Sequence, residues 1–299
     1  MPSVTAEIVA LARALGFVLS ADVDRRTTVD RALAPGYLQP GLAWLRRRRG
    51  TVPRVAVRSV SGGLVDHLAL RTQAIDDALA AAVDQGVSQL VILGAGLDAR
   101  AHRLRALGHV QVFEVDHPAS QVVKERRASA LPRVARALTY VPVDFAKDDL
   151  RAALAHAGHV ATRSTVWVSE GVTMYLPQVA TVGTLGALRE RSAEGSVLVM
   201  TYMETPSRPI PPAARAMLDR ALSRMGEPLG ATYTQAQIAS IVRDHGFALR
   251  SDTCNVQWAA TGHGGASWAR PFRAERLIVA VRPSAGSHPE HPEPALRAF

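Results

Sequence analysis

The sequence predicts an α/β protein built on a mostly parallel sheet with helices on both faces. Three observations carry that prediction. From residue 89 onward, short β-branched runs alternate with helical stretches. Those runs are almost continuously apolar, as strands buried on both faces are. And the first run leads straight into a glycine turn, "LGAGLDAR", the kind of turn that seats a ligand at the carboxyl end of such a sheet. At 299 residues, with 47% hydrophobic content, the chain is long enough to bury one large core.

Residues 4–15 and 37–49 have helical periodicity. In residues 64–84, Leu64, Leu68, Ile75, Leu79 and Val83 recur on one helical face, and Gly86 follows as a stop. The strands expected are "QLVILG", "VQVFEVD", "LTYVPVD", "STVWVSEG" and "SVLVMTYM", with helices at 98–107, 118–129, 147–157 and 177–192 between them. Pro177 suits a first helical turn, and Val166, Trp167 and Met174 read as sheet core. Residues 203–233, rich in proline, interrupt the alternation and read as a cap inserted after the fifth strand. A helix at 234–245, a strand from Phe247 and a last strand at 275–281 complete the sheet. The organisation expected is a helical extension over 1–86, a cofactor-binding core over 87–202, the cap over 203–233, completion of the core over 234–283 and a disordered, proline-rich tail over 284–299.

The single cysteine, Cys254, excludes an intrachain disulfide and a cysteine-built zinc cluster, and points to a reducing compartment. The N-terminus reads as an amphipathic helix rather than a signal peptide. No apolar run approaches the roughly 20 residues of a membrane span, so a cytoplasmic protein away from membranes is expected. The net charge of +9 comes almost wholly from arginine, with lysine only at Lys124 and Lys147. The dense run Arg46–Arg49 reads as a solvated helix end; no aromatic interleaving or zinc-finger spacing supports a nucleic-acid partner. His288 and His291 lack the partners a metal site requires.

The chemistry is carried by the turns. Gly94, Gly96 and Ala99 satisfy G-x-G-x-x-[GA] between a strand and a helix, which implies a bound nucleotide-like cofactor without naming it. Glu114 and Asp116 fall about 20 residues later on one face of the second strand, and Asp116, at its tip, is the candidate for ribose hydroxyls. NAD and S-adenosyl-L-methionine share that feature. Asp144 and Phe145 follow the third strand and suit an adenine ring; Glu170 ends the fourth. Carboxylates at three successive tips would repel a pyrophosphate and suit a cofactor carrying sulfonium and ammonium groups. The carboxylate of that cofactor needs a cation, and Arg71 is the candidate.

At these residues the sequence resembles the leucine carboxyl methyltransferase family, most of all its bacterial branch of S-adenosylmethionine-dependent methyltransferases. The motifs "RTQAIDDAL", "VILGAGLDARAHRL", "VFEVDHP", "VPVDF" and "VWVSEGVTMYLP" stand in the family's order over residues 60–205, with a weaker echo in "TAEIVALARALG". The resemblance implies a class I methyltransferase (Rossmann-like) fold with seven strands. It implies Arg71 on the methionine carboxylate, Gly94 in the cofactor loop, Asp116 on the ribose, Asp144 and Phe145 beside the adenine, Glu170 near the amino-acid end and Tyr175 facing the acceptor. The family often has leucine where Phe145 stands. The arginine-glycine-tyrosine stretch of eukaryotic members is replaced by "SGGLVDHLAL", so their protein-tail substrate is not implied.

The function expected is methyl transfer to an oxygen, a carboxylate of a small, acidic acceptor. Such an acceptor is ionised at neutral pH and needs no general base; His67, His102 and His117 read as surface or packing residues. The alternatives are an NAD(P)-dependent oxidoreductase, an RNA-modifying methyltransferase and a cofactor-binding module that turns nothing over. The sequence leaves the oligomeric state open.

Overall fold

The computed structural model describes residues 4–16, 19, 29–47, 51–206, 220, 230–260 and 266–284. Seven strands form one sheet: β1 (Gln89–Leu93), β2 (Gln111–Asp116), β3 (Ala137–Pro142), β4 (Thr165–Ser169), β5 (Val197–Met203), β6 (Ala248–Cys254) and β7 (Glu275–Val281). Their order is β3-β2-β1-β4-β5-β7-β6. The first five are parallel, so their carboxyl ends share one rim. Strand β7 is antiparallel to β5, with Met203 paired to Glu275. The first residue of β7 therefore reaches the same rim as the last residue of β5. A dinucleotide-binding sheet runs 3-2-1-4-5-6 in parallel; here an antiparallel strand stands beside β5 instead.

Strand alternation sorts the core into two layers. Leu90, Ile92, Val112, Val166, Val168, Val199 and Leu277 face the long helix α4 (Leu64–Asp84), which contributes Leu70, Ile75, Leu79 and Val83. Val91, Leu93, Phe113, Trp167, Leu198, Met200 and Ile278 face the opposite side. There they pack on α7 (Leu150–His156), α8 (Gln178–Glu190) and α9 (Gln235–Asp244), through Leu150, Leu154, Leu185, Leu188, Ile238 and Val242.

Three N-terminal helices, α1 (Val4–Leu15), α2 (Gln39–Arg47) and α3 (Thr51–Ser61), pack around Ala14, Leu42, Leu45 and Val57. Helix α1 also packs against α4, through Val9 and Ala12 on Val65 and Leu68. The strands and the helix at 64–84 stand where the sequence predicts them. Helix 98–107 does not: α5 spans only Arg100–Arg103, because Leu104 adopts extended backbone, and a 3-10 turn follows at Arg105–His109. Helix α7 begins at Leu150, three residues later than predicted, because Asp149 caps it. Pro177 is the N-cap of α8 rather than its first residue.

Helix α3 was not predicted, nor were α10 (Asn255–Ala260) and α11 (Ala266–Ala269) between β6 and β7. Helix α6 (Pro118–Ala128) agrees. Of the predicted cap, only residues 203–206, 220 and 230–233 are described. The tail beyond 284, with His288 and His291, lies outside the described residues, as do Arg48, Arg49 and the side chain of Arg46. Among the described residues, no helix is long and apolar enough to cross a membrane.

Candidate active site

The turn after β1 uses two glycines in left-handed conformations, φ 61° at Gly94 and 48° at Gly96, where an L side chain is strained. A Cβ on Gly94 would also lie 2.6 Å from Cγ2 of Val172, in the loop after β4. The amide of Gly96 donates to Oδ2 of Asp116, and the amide of His117 donates to Oδ1. The glycine loop and the tip of β2 are thus joined through one carboxylate. Burial raises the Asp116 pKa, while the two amide donors pull it back. Each oxygen keeps a lone pair for a further donor.

The tip of β4 is the electrostatic centre. Val166 and Val168 face α4, and by the same alternation Glu170 turns to that side. Three guanidiniums meet its carboxylate. Arg71 of α4 donates from Nε at 2.9 Å, Arg100 of α5 from Nη1 at 2.8 Å and Arg13 of α1 from Nη2 at 2.5 Å. Burial would raise the Glu170 pKa, but Arg13, Arg100 and Arg71 together hold it well below the usual carboxylate range. The network spreads outward. Fully buried Arg100 also binds Asp98 and, at 2.7 Å, Asp76; Arg103 binds Asp76 at 2.6 Å and pairs with Asp30 at 3.2 Å. Arg71 uses its Nη1 on Oε1 of Glu275, at 2.6 Å.

Asp144 lies two residues past β3, where its Oδ1 accepts from the Ala146 amide and its Oδ2 from Lys147 Nζ at 2.8 Å. The Lys147 contact, then the Ala146 amide, lower its pKa. Phe145 lines a narrow apolar recess with Leu93, Val172, Thr173 and Leu176. Tyr175 sits in the 3-10 turn Thr173–Tyr175, which is fastened by the Thr173 hydroxyl to the Thr201 carbonyl and by the Gly230 amide to the Met174 carbonyl.

Gly94, Gly96, Asp116, Asp144, Phe145, Glu170 and Tyr175 therefore lie at the carboxyl rim of β1–β4, and Arg71 on α4 beside it, while Glu114 is buried within β2 and pairs with Lys124. Gly96 and Asp116 touch, and so do Arg71 and Glu170, while Asp144 pairs with Lys147. Arg13, Asp98, Arg100 and Glu275 were not singled out. Asp98 and Arg100 stand inside "GLDARAHRL" and Arg13 inside "TAEIVALARALG", yet each reads as a solvated charge; Glu275 has no sequence signal. They also correct the picture of an unpaired carboxylate at this tip, because Glu170 meets three arginines, two of which it shares with Glu275, Asp98 and Asp76. His67 is buried and packs on Phe272, and His117 caps α6 by accepting from Ala119.

The profile of the family described as "Leucine carboxyl methyltransferase" matches residues 7–189. A protein of Mycobacterium avium, named "Putative S-adenosyl-L-methionine-dependent methyltransferase", is 35% identical over 67% of this chain and 66% of its own. One of Mycolicibacterium gilvum with the same name is 41% identical over 47% of this chain. That match spans about half the relative's length, 46%. Two solved structures share the fold. One, of a "duf574 family protein" from Streptomyces avermitilis, has TM-score 0.58 at 16% identity over 91% of this chain and 97% of its own. Another, from Thermobifida fusca, has TM-score 0.56 at 17% identity over 95% and 96%.

Proposed function

The chain belongs to the leucine carboxyl methyltransferase family, and from that premise we propose that it transfers a methyl group from S-adenosyl-L-methionine to a carboxylate oxygen of a small acid. The relatives' names specify that cofactor. One observation carries its fit here: Nε of Arg13 and Nη2 of Arg100, both buried beside Glu170, find no acceptor among the described residues. Buried guanidinium nitrogens without an acceptor are costly, and the carboxylate of an amino-acid moiety would satisfy them. The sheet order, unlike that of dinucleotide-binding folds, supports the same choice over NAD.

When bound, the cofactor supplies a methyl carbon activated by positive sulfur. The chain's residues hold and align. Asp116 would accept from the ribose hydroxyls, Asp144 and Phe145 would flank the adenine, and Arg71 with Arg13 and Arg100 would receive the carboxylate. Glu170 and Asp98 balance those cations and would receive the ammonium. Gly94 and Gly96 let the backbone come close. Tyr175 orients the acceptor. Fixing both reactants at near-attack distance can contribute roughly 7–11 kcal/mol. A carboxylate acceptor is supported by the histidines around the site. His67 is tied to Glu275, the Nδ1 of His102 faces the Pro132 carbonyl, and His117 caps a helix; an acceptor already ionised at pH 7 asks for no base from them.

The test is transfer of label from methyl-labelled S-adenosylmethionine to a panel of small carboxylic acids beside matched alcohols, phenols and total RNA. Methyl esters release labelled methanol in base and ethers do not. Base-labile label is the expected result; base-stable label moves the acceptor to a hydroxyl, and labelled RNA replaces the small-molecule reading.

A further inference from the structure

The carboxylate of Glu275 is gripped at both oxygens by two residues of α4. His67 Nε2 lies 2.6 Å from Oε2, and Arg71 Nη1 lies 2.6 Å from Oε1. His67 and Arg71 are four residues apart, one turn of helix, so they project side by side from one face. Glu275 reaches them because β7 is antiparallel. Its first residue stands at the rim beside Met203, and the strand's alternation turns it to the α4 side with Leu277, while Arg276 turns away to Asp252. All three groups are buried, at 1% (His67), 5% (Arg71) and 6% (Glu275) exposure.

The proton inventory around His67 is closed. Its Nδ1 faces the Asn255 amide at 3.2 Å, and that amide nitrogen also donates to the Ala269 carbonyl at 2.6 Å. An acceptor at Nδ1 leaves the proton on Nε2, where it is donated to Glu275. The ring stacks on Phe272 at 5.2 Å, which fixes its plane. A second rotamer for Glu275 would break the His67 and Arg71 contacts together. Arg71 is thereby held from behind by Nη1, and its Nε and Nη2 are aimed at Glu170.

We infer that Glu275, fastened by His67 and Asn255, is a positioning residue that sets the guanidinium of Arg71 for the cofactor's carboxylate. This makes Asn255, Phe272 and Glu275, which lie beyond the stretch matched to the family, part of the functional site. The inference rests on the reading that Arg71 binds S-adenosylmethionine.

A double-mutant cycle tests it, with S-adenosylhomocysteine affinity measured by calorimetry and thermal unfolding followed alongside. Glu275→Gln in the otherwise native protein is expected to weaken binding about ten-fold, and to cause no further loss in an Arg71→Ala background. Equal losses in both backgrounds, or no loss in the first, overturn the positioning role. If Glu275→Gln fails to fold, the same cycle is run with His67→Gln, where a loss of about three-fold confined to the Arg71 background is expected and an additive loss overturns the role. Native protein that binds no S-adenosylhomocysteine overturns the functional reading, and this inference with it; native binding with additive variants overturns this inference alone.

Discussion

Arg71 and Glu170, 99 residues apart in sequence, meet at 2.9 Å where helix α4 passes the tip of β4. Neither charge would be tolerable alone at that depth. Removing one partner of a buried ion pair typically costs about 3–5 kcal/mol, because the other charge is left without compensation. Glu170→Ala, which takes from Arg13 its carboxylate and from Arg71 and Arg100 one of theirs, is expected to lower the unfolding free energy by about that amount in urea titrations. A loss of under about 1 kcal/mol, the usual worth of a surface pair, would mean that the cluster is open to solvent.

Asp116 behaves differently, because its two intramolecular donors are backbone amides at the protein's rim. Asp116→Ala is expected to weaken S-adenosylhomocysteine binding about 10- to 100-fold, the worth of a charge-assisted hydrogen bond of about 1.5–3 kcal/mol. The melting temperature should move by only a few degrees. Unchanged affinity would remove the ribose from this end of β2.

Gly94 and Val172 fill one space. Gly94→Ala places a methyl 2.6 Å from Cγ2 of Val172 at a φ of 61°. Overpacking and left-handed strain together predict a destabilisation of about 2–4 kcal/mol. Val172→Ala in the same chain should recover about half of it. If the second change restores nothing, backbone strain alone is responsible.

The buried pair of Glu114 on β2 with Lys124 on α6 sets a pH dependence of stability. Burial pushes the Glu114 carboxyl up to about 7, against the pull of Lys124. A carboxyl raised in the folded state binds its proton more tightly there than in the unfolded chain, so stability falls as pH rises from the ordinary carboxylate range to about 7 and then levels. Glu275 works in the opposite sense. Burial raises it, but Arg71 and His67 hold it at about 2, so its contribution is present above the ordinary range and is lost as pH falls toward 2. Thermal melts from pH 2 to 8 should rise to a maximum and decline toward pH 7. The double change Glu114→Leu/Lys124→Met should flatten the part of the decline nearest pH 7 without loss of stability, leaving the shallower fall to which Asp30, Asp66 and Asp116 contribute at lower pH; an unchanged decline near pH 7 would place its origin elsewhere.

The strands were legible because β1, β2, β4 and β5 are apolar on both faces, and that pattern belongs to the sequence itself. The tips followed: Gly94, Asp116 and Glu170 are fixed by where a strand stops. Helix α3 was not legible. "TVPRVAVRSVS" carries four valines and a proline, which disfavour a helix locally, and packing of Val57 on α2 overrides them. The ion network was hidden for another reason. Arg13, Arg71 and Arg100 come from three helices, and an arginine on a helix gives no sign of whether it faces water or a carboxylate. Glu275 is the extreme case, since only the reversal of β7 carries it to the rim.

The most direct measurement is calorimetric titration of the purified protein with S-adenosylhomocysteine, beside NAD and NADP. Saturable binding of S-adenosylhomocysteine, with no heat from either dinucleotide, is the result expected from the arginines around Glu170 and the carboxylate of Asp116. Binding of a dinucleotide with none of S-adenosylhomocysteine would contradict the methyltransferase assignment of this site.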